Sequence, residues 1–298
     1  MPQHEQTVGI LHPGTMGAAV AACAKTNATA VLWCPADRSE HTVARAETYG
    51  LEPVGTLHEL LDRADMVISL CPPAVAEEVA RQVAQHGFPG GVFVEANAIS
   101  PERVQRIAAL LPDAHAVIDA AVVGSPPVGG KTPALYVSGS PAATGRVEAL
   151  FAGTAVLTHV LGTELGQSSA LKLSYTAFQK ASRLLAALSV GIAREHGVDQ
   201  ELITIATRRT DSYLSEPQYI PKVAARAWRW APELQEAADM LSAAGIPNDV
   251  LRAAADTLER WHACKDDPEL TLDDALTRLA APPITPAPPP SVAPEPGE

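Results

Sequence analysis

Residues 7–26 read TVGILHPGTMGAAVAACAKT, and the organisation of the whole chain follows from this stretch. The apolar run at 8–11 has the length of a buried strand. A glycine-bearing turn follows at once, and the small-residue stretch at 16–25 has helical character. Gly14 and Gly17 stand at the second and third positions of a dinucleotide fingerprint, where one lets the backbone approach a pyrophosphate and the other lets helix and strand pack closely. His12 occupies the place of the first glycine. Pro13 fixes its own φ and pushes His12 toward extended geometry, so proline sets the tight turn. The amides from Thr15 and Met16 onward then face the phosphates. On this reading His12, Pro13, Gly14, Thr15 and Met16 form the phosphate-side wall of a cofactor site.

Outward from this stretch the pattern repeats. Apolar runs at 30–33, 52–54, 66–70, 91–95, 115–123, 134–138 and 155–161 alternate with helical stretches, the sequence form of a mostly parallel sheet with crossover helices. The expected fold class is therefore α/β, a Rossmann-type sheet domain at 1–164. From residue 167 the pattern is helical almost to 279, with breaks at Gly197, at Pro217 and Pro221, and at Gly245 to Pro247, which predicts an all-α domain at 165–280. The residues at 281–298 are proline-dense with few apolar side chains, and are expected to be disordered.

Composition excludes several classes. A net charge of −12 and a pI near 5.2 argue against a nucleic-acid or anionic-membrane surface. Cys23, Cys34, Cys71 and Cys264 lie far apart with no CxxC pair or zinc-like cluster, so buried, reduced thiols and no metal site are expected. There is no basic-apolar leader and no apolar run of membrane length. A cytoplasmic protein is the expectation.

The carboxyl ends of the strands are where ligands bind in open α/β sheets. The second strand ends at Trp33 and Cys34 without the acid that usually reads an NAD ribose. The loop after it offers Arg38 to a 2′-phosphate and Ser39 either to the same group or as cap of the next helix, which favours NADP, while Asp37 leaves NAD possible. Cys71, Pro72 and Pro73 stop the fourth strand and are candidate walls for the cofactor ribose. Asn97 projects from the end of the fifth, ahead of a helix opened by Ser100 and Pro101. Gly124 and Ser125 begin a glycine- and proline-rich loop whose amides suit a carboxylate. In the first long helix Lys172, Thr176, Gln179 and Arg183 fall on one face of an otherwise apolar sequence. No Asp or Glu occurs from 165 to 194, whereas Lys172, Lys180, Arg183 and Arg194 do, which predicts a positive potential for an anionic substrate or a cofactor phosphate.

The segments GILHPGTMG at 9–17, NAISP at 97–101, DAAVVG at 119–124 and GQSSALK at 166–172 resemble, in order and spacing, the β-hydroxyacid dehydrogenase and 6-phosphogluconate dehydrogenase-like superfamily. The likeness covers about residues 7–261. It is strongest to a subgroup with His-Pro in the glycine turn and a tryptophan-rich helical C-terminal domain of unassigned function, here AWRW at 227–230. The resemblance implies NAD(P)-dependent hydride transfer on a small hydroxy or oxo acid and a homodimer. Lys172 matches the family's catalytic general acid/base, and Asn97 its nicotinamide-side Ser/Thr position. Val123 stands where the family has a carboxylate-holding serine, and Thr176 where it has an asparagine beside the lysine. Gly124, Ser125, Tyr175, Thr176 and Gln179 are then the candidate substrate contacts. Imine reductases share this fold and usually lack the lysine, so retention of Lys172 favours carbonyl and alcohol chemistry. The other readings are an imine reductase and a non-catalytic NADP-binding module.

Overall fold

A parallel strand buried on both faces reads as a continuous apolar run, and these runs set the sheet. In the computed structural model, residues 6–112, 114, 116–208, 213, 216–243 and 245–280 are described. The tail expected to be disordered from residue 281 lies outside the described residues, as does His115, the expected start of the sixth strand. The first part of the chain runs β1 (Thr7–Ile10), α1 (Thr15–Ala24), β2 (Ala30–Trp33), α2 (Glu40–Thr48), β3 (Glu52–Pro53), α3 (Leu57–Arg63) and β4 (Met66–Ser69). It continues through α4 (Ala76–His86), β5 (Val92–Glu95), α5 (Pro101–Leu110), β6 (Ala116–Val123), β7 (Ala134–Ser138), α6 (Pro141–Phe151) and β8 (Leu157–Gly162). The eight strands form one sheet in the order β3-β2-β1-β4-β5-β6-β7-β8. All pairs are parallel except β6 with β7, which is antiparallel. A parallel return needs a crossover of a dozen or more residues, and the helix-free connection at 124–133 is too short for one.

Alternation along the strands divides the core into two layers. Val8, Ile10, Met66, Ile68, Val92, Val94, Ile118 and Val122 pack with Val20, Ala21 and Ala24 of α1 and Val147, Leu150 and Phe151 of α6. Leu32, Val67 and Phe93 face the other way, onto Leu60 and Leu61 of α3, Val79 and Val83 of α4, and Val104 and Ile107 of α5. Local caps fix where the helices begin. Ser39 accepts from the Thr42 amide at the head of α2, Thr56 from Glu59 at α3, and Ser100 from Arg103 at α5, where Pro101 takes the first helical position.

The second half is helical as the pattern predicts: α7 (Gln167–Glu195), α8 (Asp199–Ala206), α9 (Ile220–Ala243), α10 (Asp249–Leu258) and α11 (Leu272–Ala280). Gly197, at φ 67°, separates α7 from α8, and Pro221 falls in the first turn of α9 rather than breaking a helix. The chain divides into two compact units, Met1–Ala177 and Phe178–Glu298, the division falling within α7. The second unit has its own small core, in which Ala224, Ala227, Trp261, Cys264, Leu270 and Ala275 are buried and the Trp261 indole donates to the Ala275 carbonyl at 2.8 Å. Among the described residues no helix is long and apolar enough to cross a membrane.

Candidate functional site

The turn between β1 and α1 is built around two different glycines. A Cβ on Gly17 would collide with the His12 carbonyl oxygen, so only glycine lets α1 sit this close to the strand exit. A Cβ on Gly14 would meet nothing within 4 Å, so there the missing side chain leaves room outside the backbone. Gly14 caps α1 in extended geometry, without a side-chain cap and with no acid in the first turn. The leading amides of α1 are thus left to an anion, as a dinucleotide pyrophosphate requires. Pro13 is buried, and Arg45 of α2 reaches its carbonyl at 3.4 Å, bringing a cation to the same turn. Thr15 is exposed and Met16 half-buried.

Beside this turn lies a cavity of about 220 Å³ lined by Leu11, His12, Cys34, Asp37, Arg38 and Thr56, among others. It joins the ends of β1 and β2, where the ribose of a dinucleotide is read. Two ring or guanidinium nitrogens on its lining residues, His12 Nδ1 and Arg38 Nε, are buried without a partner. Burial, and then the Arg38 charge, lower the His12 pKa to about 4, so the imidazole is neutral at physiological pH. Asp37 is exposed and holds a left-handed backbone at φ 59°. The Ser39 hydroxyl is engaged as the cap of α2 and lies 3.1 Å from that of Thr42. The residues present therefore fit a dinucleotide: an open glycine, uncapped helix amides and unpartnered nitrogens beside a ribose-sized cavity.

Across the centre of the sheet the strand register lines up a row of polar residues. Ser69 of β4 pairs with Glu95 of β5, Glu95 with Asp119 of β6, and Asp119 with Ser138 of β7, and all four are fully buried. Asn97 joins the row from the loop after β5. Its amide donates to Glu95 at 3.0 Å, its carboxamide donates to the Ser69 hydroxyl at 3.1 Å, and it accepts from the Cys71 amide at 2.6 Å. Asn97 thus fixes the strand exit Cys71 to Pro73 from within, with Pro72 and Pro73 left exposed. Burial raises the Cys71 thiol pKa, so this cysteine rests as a thiol.

One oxygen of Glu95 has no partner, and burial raises the Glu95 pKa from 4.5 to about 7, against the pull of the Asn97 hydrogen bonds. Between pH 4.5 and 7 the folded chain therefore holds a proton at Glu95 that the unfolded chain has lost, and this group's contribution to stability falls as pH rises. His12 acts with the opposite sign between about pH 4 and 6.5, where the folded chain lacks a proton that the unfolded chain holds. Comparison of wild type with Glu95→Gln cancels the histidine. From pH 6 to 8 the difference in urea-unfolding free energy is expected to move by about 1 to 1.5 kcal/mol in the variant's favour. Parallel stability curves would show that Glu95 is already ionised at pH 6.

Asp119 anchors the start of α7. Its carboxylate accepts from the Gly166 and Ser169 amides, both at 3.0 Å, from the Ser169 hydroxyl at 2.6 Å and from the Ser138 hydroxyl at 3.3 Å. The Ser168 hydroxyl lies 3.2 Å from that of Ser138. Gly166 sits at φ 106°, and a Cβ there would stand 2.7 Å from Pro101 Cβ, so the helix entry packs directly on the head of α5. One turn further on, the Lys172 ammonium donates to the Val122 carbonyl at 2.8 Å. That carbonyl belongs to the carboxyl end of β6, two residues before Gly124, which is exposed at φ 126° and followed by exposed Ser125. The structure thus brings Lys172 to the strand end that leads into the candidate carboxylate loop. Tyr175 is exposed and Thr176 half-buried on the same helix, while Gln179 belongs to the second unit. The side chains of Lys180 and Arg183, expected to add positive potential, lie outside the described residues.

The polar row was missed by a reading that looked for apolar runs. Its signal was present: acids inside otherwise apolar strands, Glu95 after Val-Phe-Val and Asp119 after Ala-Val-Ile, are almost never fully buried unless paired. A separate cavity of about 540 Å³ lies wholly in the second unit, between Leu185, Ile192, Leu202, Leu241 and Leu251, and its lining is nearly all apolar. Among the described residues no cluster of His, Cys, Asp and Glu is arranged to hold a metal ion.

Residues 7–162 match the NAD binding domain of 6-phosphogluconate dehydrogenase, and residues 193–261 match a domain of unknown function, DUF1932. A curated relative, an uncharacterized 28.5 kDa protein of Methanothermus fervidus, is 26% identical over 175 residues, 59% of this chain, which spans 66% of that protein's length. Among solved structures the fold is similar to a conserved protein of unknown function described as resembling 3-hydroxyacid dehydrogenases. That similarity has TM-score 0.57 at 23% identity, over 92% of this chain and 100% of the other. It is also similar to an imine reductase from Pseudomonas sp., with TM-score 0.68 at 17% identity, over 93% and 100%. A reductive aminase from Aspergillus terreus in complex with NADPH gives TM-score 0.66 at 16% identity, over 87% and 94%.

Proposed function

Because the chain belongs to the family of the NAD binding domain of 6-phosphogluconate dehydrogenase, and is thereby an NAD(P)-dependent oxidoreductase, we propose that it uses NADP to interconvert a small hydroxy acid and its oxo acid, with Lys172 as general acid/base. The observation that carries this reading is the Lys172 ammonium, held 2.8 Å from the Val122 carbonyl at the mouth of the Gly124–Ser125 loop. A bound nicotinamide would supply the hydride chemistry. Lys172 gives a proton to the developing alkoxide, or takes one from the alcohol. The loop amides and the Ser125 hydroxyl would hold the substrate carboxylate, and Tyr175 and Thr176 would shape the remainder of the pocket.

In this reading the turn of His12, Pro13, Gly14, Thr15 and Met16 would hold the cofactor, together with the wall Cys71, Pro72 and Pro73 that Asn97 positions. The cofactor domain takes residues 1–164 and a substrate and dimerisation domain takes 165–280. Exposed Val198, Ile203 and Ile205 support a homodimer, since the second unit leaves apolar helix surface open. All four cysteines are free, in keeping with a reducing, cytoplasmic setting, but only Cys264 is buried as expected, whereas Cys23, Cys34 and Cys71 are half-buried. Imine reduction is the second reading. It is favoured by Val123 and Thr176, which replace the serine and asparagine expected of a hydroxyacid enzyme.

The cofactor choice is tested at Arg38, which lines the ribose-side cavity. Arg38→Ala is expected to weaken NADPH binding by about 10- to 100-fold, the scale of a hydrogen bond between charged groups, and NADH binding by less than about twofold. Fluorescence titration of both nucleotides measures this, and an equal loss for the two defeats the NADP reading. Initial rates with NADPH on oxo acids and on cyclic imines then separate the two reactions.

A further inference from the structure

His12 stands where the fingerprint has a glycine, and a glycine there would leave its share of the 220 Å³ cavity empty. Here an imidazole lines that cavity together with Cys34, Asp37 and Arg38. Both His12 Nδ1 and Arg38 Nε are buried and unpartnered, an arrangement that costs free energy until a ligand supplies acceptors. A ribose hydroxyl brings one oxygen to such a place. A 2′-phosphate brings three acceptor oxygens and two negative charges, enough for an imidazole and a guanidinium together.

We propose that His12 is a specificity-determining residue, a second recognition group for the 2′-phosphate of NADP(H) that acts beside Arg38. The inference rests on the NADP reading above and adds a residue that the fingerprint does not supply. Because the ring is neutral at physiological pH it does not repel Arg38, and with its proton on Nδ1 it donates to a phosphate oxygen. The other charged groups around the cavity suit an anion. Arg45 stands at the Pro13 carbonyl, and Glu59, whose carboxylate accepts from the Gly55 amide, is paired with Arg63. Among the described residues Asp37 is the one acid on the cavity lining, and its opposing charge makes a second donor beside Arg38 more valuable to a phosphate.

His12→Gly restores the glycine of the fingerprint, and His12→Gln keeps a side-chain N–H donor. Binding of NADPH and NADH is measured by nucleotide fluorescence, and binding of adenosine 2′,5′-bisphosphate and adenosine 5′-phosphate by calorimetry, with no turnover needed. Wild type is expected to favour each 2′-phosphorylated ligand by at least tenfold. In His12→Gly NADPH and the bisphosphate should weaken by about tenfold while NADH and the monophosphate change less than about twofold, and His12→Gln should recover part of the loss. If the glycine variant does not fold, the glutamine variant carries the test, with a selective loss smaller than tenfold expected. An equal shift for phosphorylated and unphosphorylated ligands in either folded variant, or no shift, overturns the proposal and leaves His12 as a turn residue. A wild type that binds NADPH and NADH equally overturns the NADP reading itself, and the proposal falls with it.

Discussion

Lys172→Ala is expected to lower turnover by roughly 100-fold or more, the usual scale for a positioned acid or base, while NADPH affinity stays within about twofold of wild type. The separation follows from placement. Lys172 reaches the carboxyl end of β6, at the Val122 carbonyl, whereas the phosphate-side contacts proposed above would come from the β1 turn and the end of β2. Lys172 also ties α7 to β6, so a structural contribution has to be distinguished from a chemical one. Lys172→Arg keeps a cation and a donor for Val122 but carries no proton that can be exchanged near neutral pH. It should retain thermal stability and still lose turnover. Lys172→Met keeps side-chain bulk and should lose both the tie and the activity. Near-normal turnover of Lys172→Ala on its substrate would remove the lysine from the chemistry and pass the acid role to Tyr175 or to water.

Asp119→Ala is expected to destabilise the chain by about 3 to 5 kcal/mol in urea unfolding, because removing one partner of a buried charge-assisted network leaves the others desolvated and unpaired. Two backbone amides and two hydroxyls, from β7, from the entry to α7 and from its first turn, converge on this one carboxylate. Asp119→Asn keeps the shape and one acceptor oxygen, and should cost less. The same variants test the link to catalysis. Ser169 lies three residues before Lys172, so whatever loosens the start of α7 also loosens the ammonium. Turnover of Asp119→Asn should fall further than its NADPH affinity. A loss of stability below about 1 kcal/mol for the alanine variant would mean that water replaces the carboxylate at little cost.

The sheet was legible because burial on both faces writes itself into the sequence as unbroken apolar runs, and 66–70 and 91–95 could be read as strands with no knowledge of their neighbours. The β1 turn was legible for a similar reason, since Pro13, Gly14 and Gly17 each have a local backbone task. The direction of β7 was not read, although the short glycine-rich connection at 124–133 carried the information. The polar row was harder. Ser168 and Ser169 look like any helix-opening serines, and what gives them meaning is a carboxylate 50 residues earlier for Ser169 and a hydroxyl 30 residues earlier for Ser168. Asn97 was read as projecting toward a ligand. Its carboxamide is instead engaged at both ends inside the protein, an outcome that depends on Ser69 and Cys71 arriving from another strand. Local patterns reveal elements, whereas contacts between distant segments are visible only once the elements are assembled.

The partners of Asp119 also bear on how the chain comes together in time. Its donors at 166 and 169 follow it by 47 and 50 residues, so during synthesis β5 and β6 can meet well before anything is present to neutralise the carboxylate between them. Closing loops of that length is slow compared with forming the local helices. Until α7 begins, the acid beside Glu95 lacks three of its four donors, and a chain that ended at Gly162, with every strand complete, would offer it only the Ser138 hydroxyl. Satisfying that acid fully thus falls to a helix outside the sheet, and the same helix carries Lys172 to the end of β6.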